Sequence, residues 1–160
     1  MTDTIRCFHC GTAIDGPAPH QLQIDGTAVA LCSNACQEIA TRIRDKGLTG
    51  FYRFRTDAAA PAGTNTEPER WASYDREALQ KEFVSSHSDG SREAQLLLQG
   101  VRCAACSWLI ERAMAAVPGV REIAVDPLTT RTRLRWDPRI TRLSELLTRI
   151  AVLGYDPYPY

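Results

Sequence analysis

"AQLLLQGVRCAACSWLIERAMAAVPGVREIAV", residues 94–125, changes its apolar period twice. Ala94, Leu96 and Leu98 alternate with polar neighbours, although Leu97 blurs the pattern, and period two is that of a strand. From Cys106 the apolar positions Leu109, Ile110, Ala113 and Val117 recur at helical spacing. "VPGV", 117–120, stops that helix, and "VREIAVD" begins a second strand. The stretch therefore reads strand, loop, helix, strand. Two cysteines, Cys103 and Cys106, stand where the first strand hands over to the helix.

Outward from this unit the pattern repeats. "DPLT", 126–129, is a turn into "TRTRLRW", where Thr132, Leu134 and Trp136 share one face and Arg131, Arg133 and Arg135 the other. Leu143, Leu146, Leu147, Ile150 and Leu153 mark a second amphipathic helix, with Thr141 as N-cap and Gly154 at C′. "YDPYPY" fits an edge strand, where proline is tolerated. The order βαββαβ is the ferredoxin-like split βαβ arrangement. About 70 residues suffice for such a core, with little margin.

A Cys-x-x-Cys pair serves as half a zinc site, as a redox pair or as a hook for a soft metal. Here Cys103 falls in the strand–helix loop and Cys106 in the first helical turn. Backbone N–H groups at a helix start favour the thiolate, which is the form that binds metal. Two thiolates are two short of a structural zinc shell, whereas the soft d¹⁰ ion Cu(I) accepts two. Ala104 and Ala105 keep the loop small and open to a partner's thiolate. Zn(II) and Cd(II) share the preference for sulfur and stay open as alternatives. So does a dithiol oxidoreductase, although the tryptophan usual before the first cysteine of a thioredoxin-like pair is absent.

Four more cysteines lie early. "CFHCG", 7–11, is a knuckle whose Gly11 supplies the dihedrals of a tight turn. "QLQIDGTAVAL", 21–31, reads as a hairpin turning at Asp25-Gly26. "LCSNACQEIATRI", 31–43, puts Cys32 and Cys36 on one face of a helix start. Cys7, Cys10, Cys32 and Cys36 make four soft ligands, the number that closes a structural zinc site. The apolar residues around them (Ile14, Leu22, Ile24, Val29, Leu31, Ile39, Ile43) are few, so metal binding is expected to supply folding energy. His9 and His20 are substitute ligands to weigh, and a histidine inside such a knuckle is more often a solvated bystander.

The fold class is α+β: a cysteine-rich, zinc-ribbon or treble-clef-like module over 1–50, a linker with a short helix over 51–91, and the ferredoxin-like domain over 92–160. "RTDAAAPAGTNTEPER", 55–70, has linker composition. "WASYDREALQKEFV", 71–84, reads as the short helix and "SSHSDGS", 85–91, as a flexible lead-in. Lys and Arg total 19, as do Asp and Glu. This balance gives no electrostatic ground for a nucleic-acid partner. Residues 1–90 carry 9 basic and 12 acidic side chains, a bias too slight to choose partners. No apolar run of about 18 residues exists, and the N-terminus lacks an apolar signal core, so a cytoplasmic chain is expected. In that compartment paired cysteines point to metal or redox chemistry rather than to disulfides.

Gly100, Cys103, Ala104, Ala105 and Cys106, the βαββαβ order and the closing Gly154-Tyr155 resemble the heavy-metal-associated domain of copper chaperones and copper-transporting P-type ATPases. The likeness covers about 92–158. Val101 stands where that family often has methionine, a packing residue rather than a ligand. It implies that Tyr155 sits over the metal loop. Trp108 is expected to pack on a neighbouring element. The spacing of Cys10, Cys32 and Cys36 resembles the metal-binding segment at the head of certain copper ATPases, which often read Cys-Cys where this chain reads Cys32-Ser33. With "FYRFRT" and "YDREALQKEFV" in order, nearly the whole chain resembles the N-terminal region of the copper-exporting ATPases that serve cbb3-type oxidase assembly.

The resemblance implies Cu(I) at Cys103 and Cys106, passed to or regulating a copper pump of which this chain is the N-terminal part, on the cytoplasmic face of the inner membrane. The implied partners are a copper donor chaperone or low-molecular-weight thiol, and the membrane and ATPase domains of the same pump. The chain by itself is then not an enzyme. A freestanding metallochaperone or metal sensor is the competing reading.

Overall fold

The computed structural model describes residues 4–56, 58–59 and 68–160. Most of the stretch expected to be a linker, at 57 and 60–67, lies outside the described residues. The second half forms one five-stranded antiparallel sheet from β5 (Val84–Ser86), β6 (Arg92–Gln99), β7 (Val120–Val125), β8 (Arg131–Trp136) and β9 (Asp156–Pro159). β6 is central. β8 and then β7 lie on one side, while β9 and β5 share the other edge, β9 on Leu96–Gln99 and β5 on Arg92–Ala94. With the crossing helices α4 (Ala104–Ala115) and α5 (Leu143–Ala151), this is the ferredoxin-like fold.

Alternation decides which face is buried. Ala94, Leu96 and Leu98 of β6 and Thr132, Leu134 and Trp136 of β8 are buried beneath Leu109, Ile110 and Met114 of α4 and Leu146, Leu147 and Ile150 of α5. Each large side chain so buried contributes roughly 1.5–3 kcal/mol.

The first half contains a two-residue strand pair, β1 (Ile5–Arg6) with β2 (Ala13–Ile14), and a hairpin, β3 (His20–Ile24) with β4 (Thr27–Leu31). The hairpin turns at Asp25 and Gly26, both at positive φ, as a two-residue turn requires. α1 (Asn34–Asp45) follows, capped by Ser33, whose Oγ accepts from the Cys36 N–H at 3.2 Å. Ser33, next to Cys32, thus starts the helix.

Five expectations need correction. Ile39 and Ile43 do not belong to a small separate core: α1 inserts them into the main core beside the second domain, while Ile14, Ile24 and Leu31 gather around the cysteines. Residues 71–84 are not one helix but a 3₁₀ helix (Pro68–Asp75), α3 (Glu77–Gln80) and β5, because Trp71 is drawn into the main core. "SSHSDGS" is ordered by pairing of β5 with β6 and by a turn closed by His87 N–H on Ser91 O at 2.8 Å. Thr141 is not the N-cap of α5. That position is Arg142, and the Asp75 carboxylate accepts from the Ser144 N–H at 2.9 Å and from its hydroxyl. Gly154, at φ +101, stands one place beyond C′, where a Cβ would come within 3.1 Å of Ile39.

Within the expected linker, α2 (Gly50–Phe54) packs on α4. The Trp108 ring meets the Phe54 ring edge-on, with centroids 6.1 Å apart. No helix among the described residues is long and apolar enough to cross a membrane.

Candidate metal centres

The knuckle between β1 and β2 is folded by Cys7 N–H on Thr12 O and Gly11 N–H on Cys7 O, each 2.9 Å. Gly11 sits at φ +78, and a Cβ there would come within 3.0 Å of Ala58. The end of β4 presents Cys32, and the first turn of α1 presents Cys36. The sulfur atoms of Cys7, Cys10, Cys32 and Cys36 all lie within 4.8 Å of one another. Cys10 to Cys32 is 3.6 Å and Cys32 to Cys36 is 3.9 Å. Four sulfurs about 2.3 Å from a tetrahedral ion are about 3.8 Å apart, so these side chains fit zinc. Burial pushes the Cys7 thiol up, but N–H groups of Cys10, Cys32 and His9 outweigh it and hold the group at about 7. Burial and the neighbouring Cys10 and Cys7 push Cys32 the other way. Four thiols this close resist shared ionisation unless a cation stands among them.

His9 is neither a ligand of this set nor a solvated bystander. It is 2% exposed, and its Nδ1 lies 2.9 Å from the Tyr52 hydroxyl, on the side facing the second domain. Burial, then the nearby Arg55 charge, lowers it to about 4, so it is neutral. His20 lies on β3, and among the described residues the cluster consists of the four cysteines alone.

The second pair sits at the start of α4. Gly100 turns the chain at φ +103, and Val101 packs on the main core. Cys103 is the N-cap residue and half-exposed; Cys106 is 2% exposed. Ala104 is exposed and Ala105 buried, so the loop is open on one side only. Burial pushes the Cys103 thiol up, but hydrogen bonds from Thr56 and from the Cys106 and Ala105 N–H groups outweigh it and bring it to about 7. Burial first, then the neighbouring Cys106, raises the pKa of the buried Tyr155 hydroxyl.

Sequence reasoning missed Tyr52, Arg55 and Thr56, which join the two centres from a stretch taken for linker. The aromatic–cationic spacing of "FYRFRT" was the available signal. The Arg55 guanidinium donates to the carbonyls of Phe8 and His9 and lies 4.7–5.2 Å from the Tyr52 and Phe8 ring centres.

A four-sulfur cluster, with a further cysteine pair at a helix start, marks a metal-binding protein. Residues 6–88 match the putative metal-binding domain of cation transport ATPases, and the chain belongs to that family. Residues 95–156 match the heavy-metal-associated domain. A copper-exporting P-type ATPase of Staphylococcus aureus (strain MRSA252) is 28% identical over 140 residues, 84% of this chain and 16% of that protein. The nitrogen fixation protein FixI of Bradyrhizobium diazoefficiens is 31% identical over 78 residues, 49% of this chain and 11% of that protein. The chain thus spans a small part of these relatives, and both matched family models are named for metal. The solution structure of the N-terminal domain of a potential copper-translocating P-type ATPase from Bacillus subtilis, Cu(I)-loaded, is 25% identical. It covers 43% of this chain and 86% of its own, with a TM-score of 0.42.

Proposed function

We propose that Cys103 and Cys106 bind Cu(I) and pass it to, or use it to regulate, a copper-translocating P-type ATPase of which this chain is the N-terminal cytoplasmic region. One observation carries the reading: a half-exposed sulfur and a buried sulfur share a helix start that is open on one side. A donor's thiolate approaches Cys103, and Cys106 beneath Tyr155 completes a two-sulfur site for a soft ion. The donor is a copper chaperone or a small thiol; the acceptor is the membrane part of the same pump. The order of "CFHCG", "LCSNAC", "FYRFRT" and "YDREALQKEFV" is the ground on which we assign the chain to the subgroup serving cbb3-type oxidase assembly.

Cys7, Cys10, Cys32 and Cys36 would hold Zn(II) as a resident ion, closing a tetrahedral shell and contributing folding energy. The functional units are then 1–50 and 92–160, with 51–91 between them. The test is metal analysis of anaerobically purified protein. One labile Cu(I) and one tightly held zinc are expected. Cys103→Ser/Cys106→Ser abolishes the copper and leaves the zinc. Copper retained by that variant against a strong chelator refutes the assignment.

A further inference from the structure

Residues 50–56 and 58–59 are tied to both metal centres. Toward the four-sulfur cluster, Arg55 donates to the carbonyls of Phe8 and His9 between the knuckle cysteines, and the Ala59 N–H donates to His9 O at 2.9 Å. The Tyr52 hydroxyl meets His9 Nδ1 at 2.9 Å. Toward the open pair, Arg102 donates to Ala58 O at 3.3 Å. Gly50 and Phe54 lie against Trp108, two residues beyond Cys106; a Cβ on Gly50 would come within 3.2 Å of that ring. Thr56 lies beside Cys103.

Apart from this segment, the knuckle is held by its own turn bonds and by Phe8 N–H on Ala30 O of β4 at 2.8 Å. β1 and β2 are two residues each, far too short to be stable unaided. A metal among the four sulfurs fixes the knuckle, and a fixed knuckle offers Arg55 two carbonyls in set positions. The planar guanidinium fork suits that geometry as an ammonium does not.

We infer that this segment couples the two centres: metal at the four-cysteine site fixes the Cys103 loop through Arg55, so that each centre binds its metal more tightly when the other is filled. The inference rests on the two-centre reading above. Arg55 is a positioning residue, touching neither ion. Coupling between binding sites is reciprocal, and common magnitudes are about 5- to 150-fold. A pre-positioned loop forfeits less ordering entropy on binding.

The experiment uses the full chain, copper-free, with zinc content measured. Amide exchange of residues 100–108 is compared between protein holding one zinc, a stoichiometry lost in Cys32→Ser/Cys36→Ser, and protein stripped by a chelator. Zinc is expected to slow exchange there by about fivefold or more, the lower end of common couplings. In Arg55→Lys the effect shrinks below about twofold, while strands β6 and β8 keep their protection. Tyr52→Phe, which removes only the hydroxyl facing His9, weakens it as well and serves if Arg55→Lys misfolds. The reciprocal readout is Cu(I) competition, expected to be tighter by the same factor in zinc-loaded protein. Unchanged exchange at 100–108 in protein shown to hold zinc overturns the coupling and leaves both metal assignments standing. A chain that takes up no zinc at the four cysteines overturns that centre, and the coupling with it.

Discussion

Cys103 and His9 each have an ionisation moved by their surroundings. The Cys103 sulfur collects hydrogen bonds from Thr56 and from its own helix start, which bring it to about 7 from an ordinary thiol value near 9. The thiolate is the reactive form. Alkylation of Cys103 in metal-free protein is therefore expected to rise with pH to a midpoint near 7 and then level off. Thr56→Val, which deletes one donor, moves the midpoint upward. A midpoint near 9 in the wild type would remove this account. His9 moves the other way in function: its folded value of about 4 lies below the ordinary 6.5, since burial and Arg55 disfavour the charged ring. The unfolded chain then binds more protons below 6.5. Stability is full above 6.5 and is lost as pH falls toward 4, by about 3 kcal/mol in all. Denaturant midpoints of wild type and His9→Gln, followed from pH 7 to 4, are expected to converge on the acid side. Metal loss affects both proteins and cancels in the comparison.

The elements themselves are joined by bonds that their own sequences do not announce. α5 has no side-chain cap at Arg142; instead Asp75, 69 residues earlier, accepts from Ser144. Asp75→Ala is expected to cost about 1 kcal/mol, as loss of an N-cap does, measured as a shift in urea midpoint at constant slope. A shift below a few tenths would show that the bond contributes nothing net. This long-range cap explains the limit of what could be read in advance. β6, β8, α4 and α5 were legible because one face of each is buried and the apolar period shows it even where Leu97 blurs it, while β9 was legible from prolines that an edge strand tolerates. The three cysteine pairs were legible because the spacing within each is local. Local chemistry favours Thr141 as the cap, whereas the role of Asp75 does not show in the sequence because its partner is distant. α2 was missed for the same reason: five residues have no period to detect, and Gly50 and Phe54 matter only against Trp108.

At the scale of the whole molecule, the two halves are not beads on a string. α1 belongs to the first half by sequence, yet Ile39 and Ile43 lie in the core built by β6, β8, α4 and α5, and Gly154 leaves room for Ile39. A smaller cluster holds Leu31, Ile24 and Ile14 with the cysteines. Two apolar side chains, both 0% exposed and both from the first half, thus have different dependents. Removing buried atoms at either costs about 2–5 kcal/mol where it acts. Ile43→Ala is expected to speed amide exchange in β6 and β8 as well as in α1, because it opens the shared core. Leu31→Ala should speed exchange in β3, β4 and the knuckle and leave β6 and β8 unchanged, because its neighbours do not carry the large sheet. Independent domains would give the opposite result at Ile43, with β6 and β8 unmoved. A single undivided core would give it at Leu31, with every strand moved. The pair of variants therefore separates the three architectures, and the residue lists of the two clusters predict the mixed outcome.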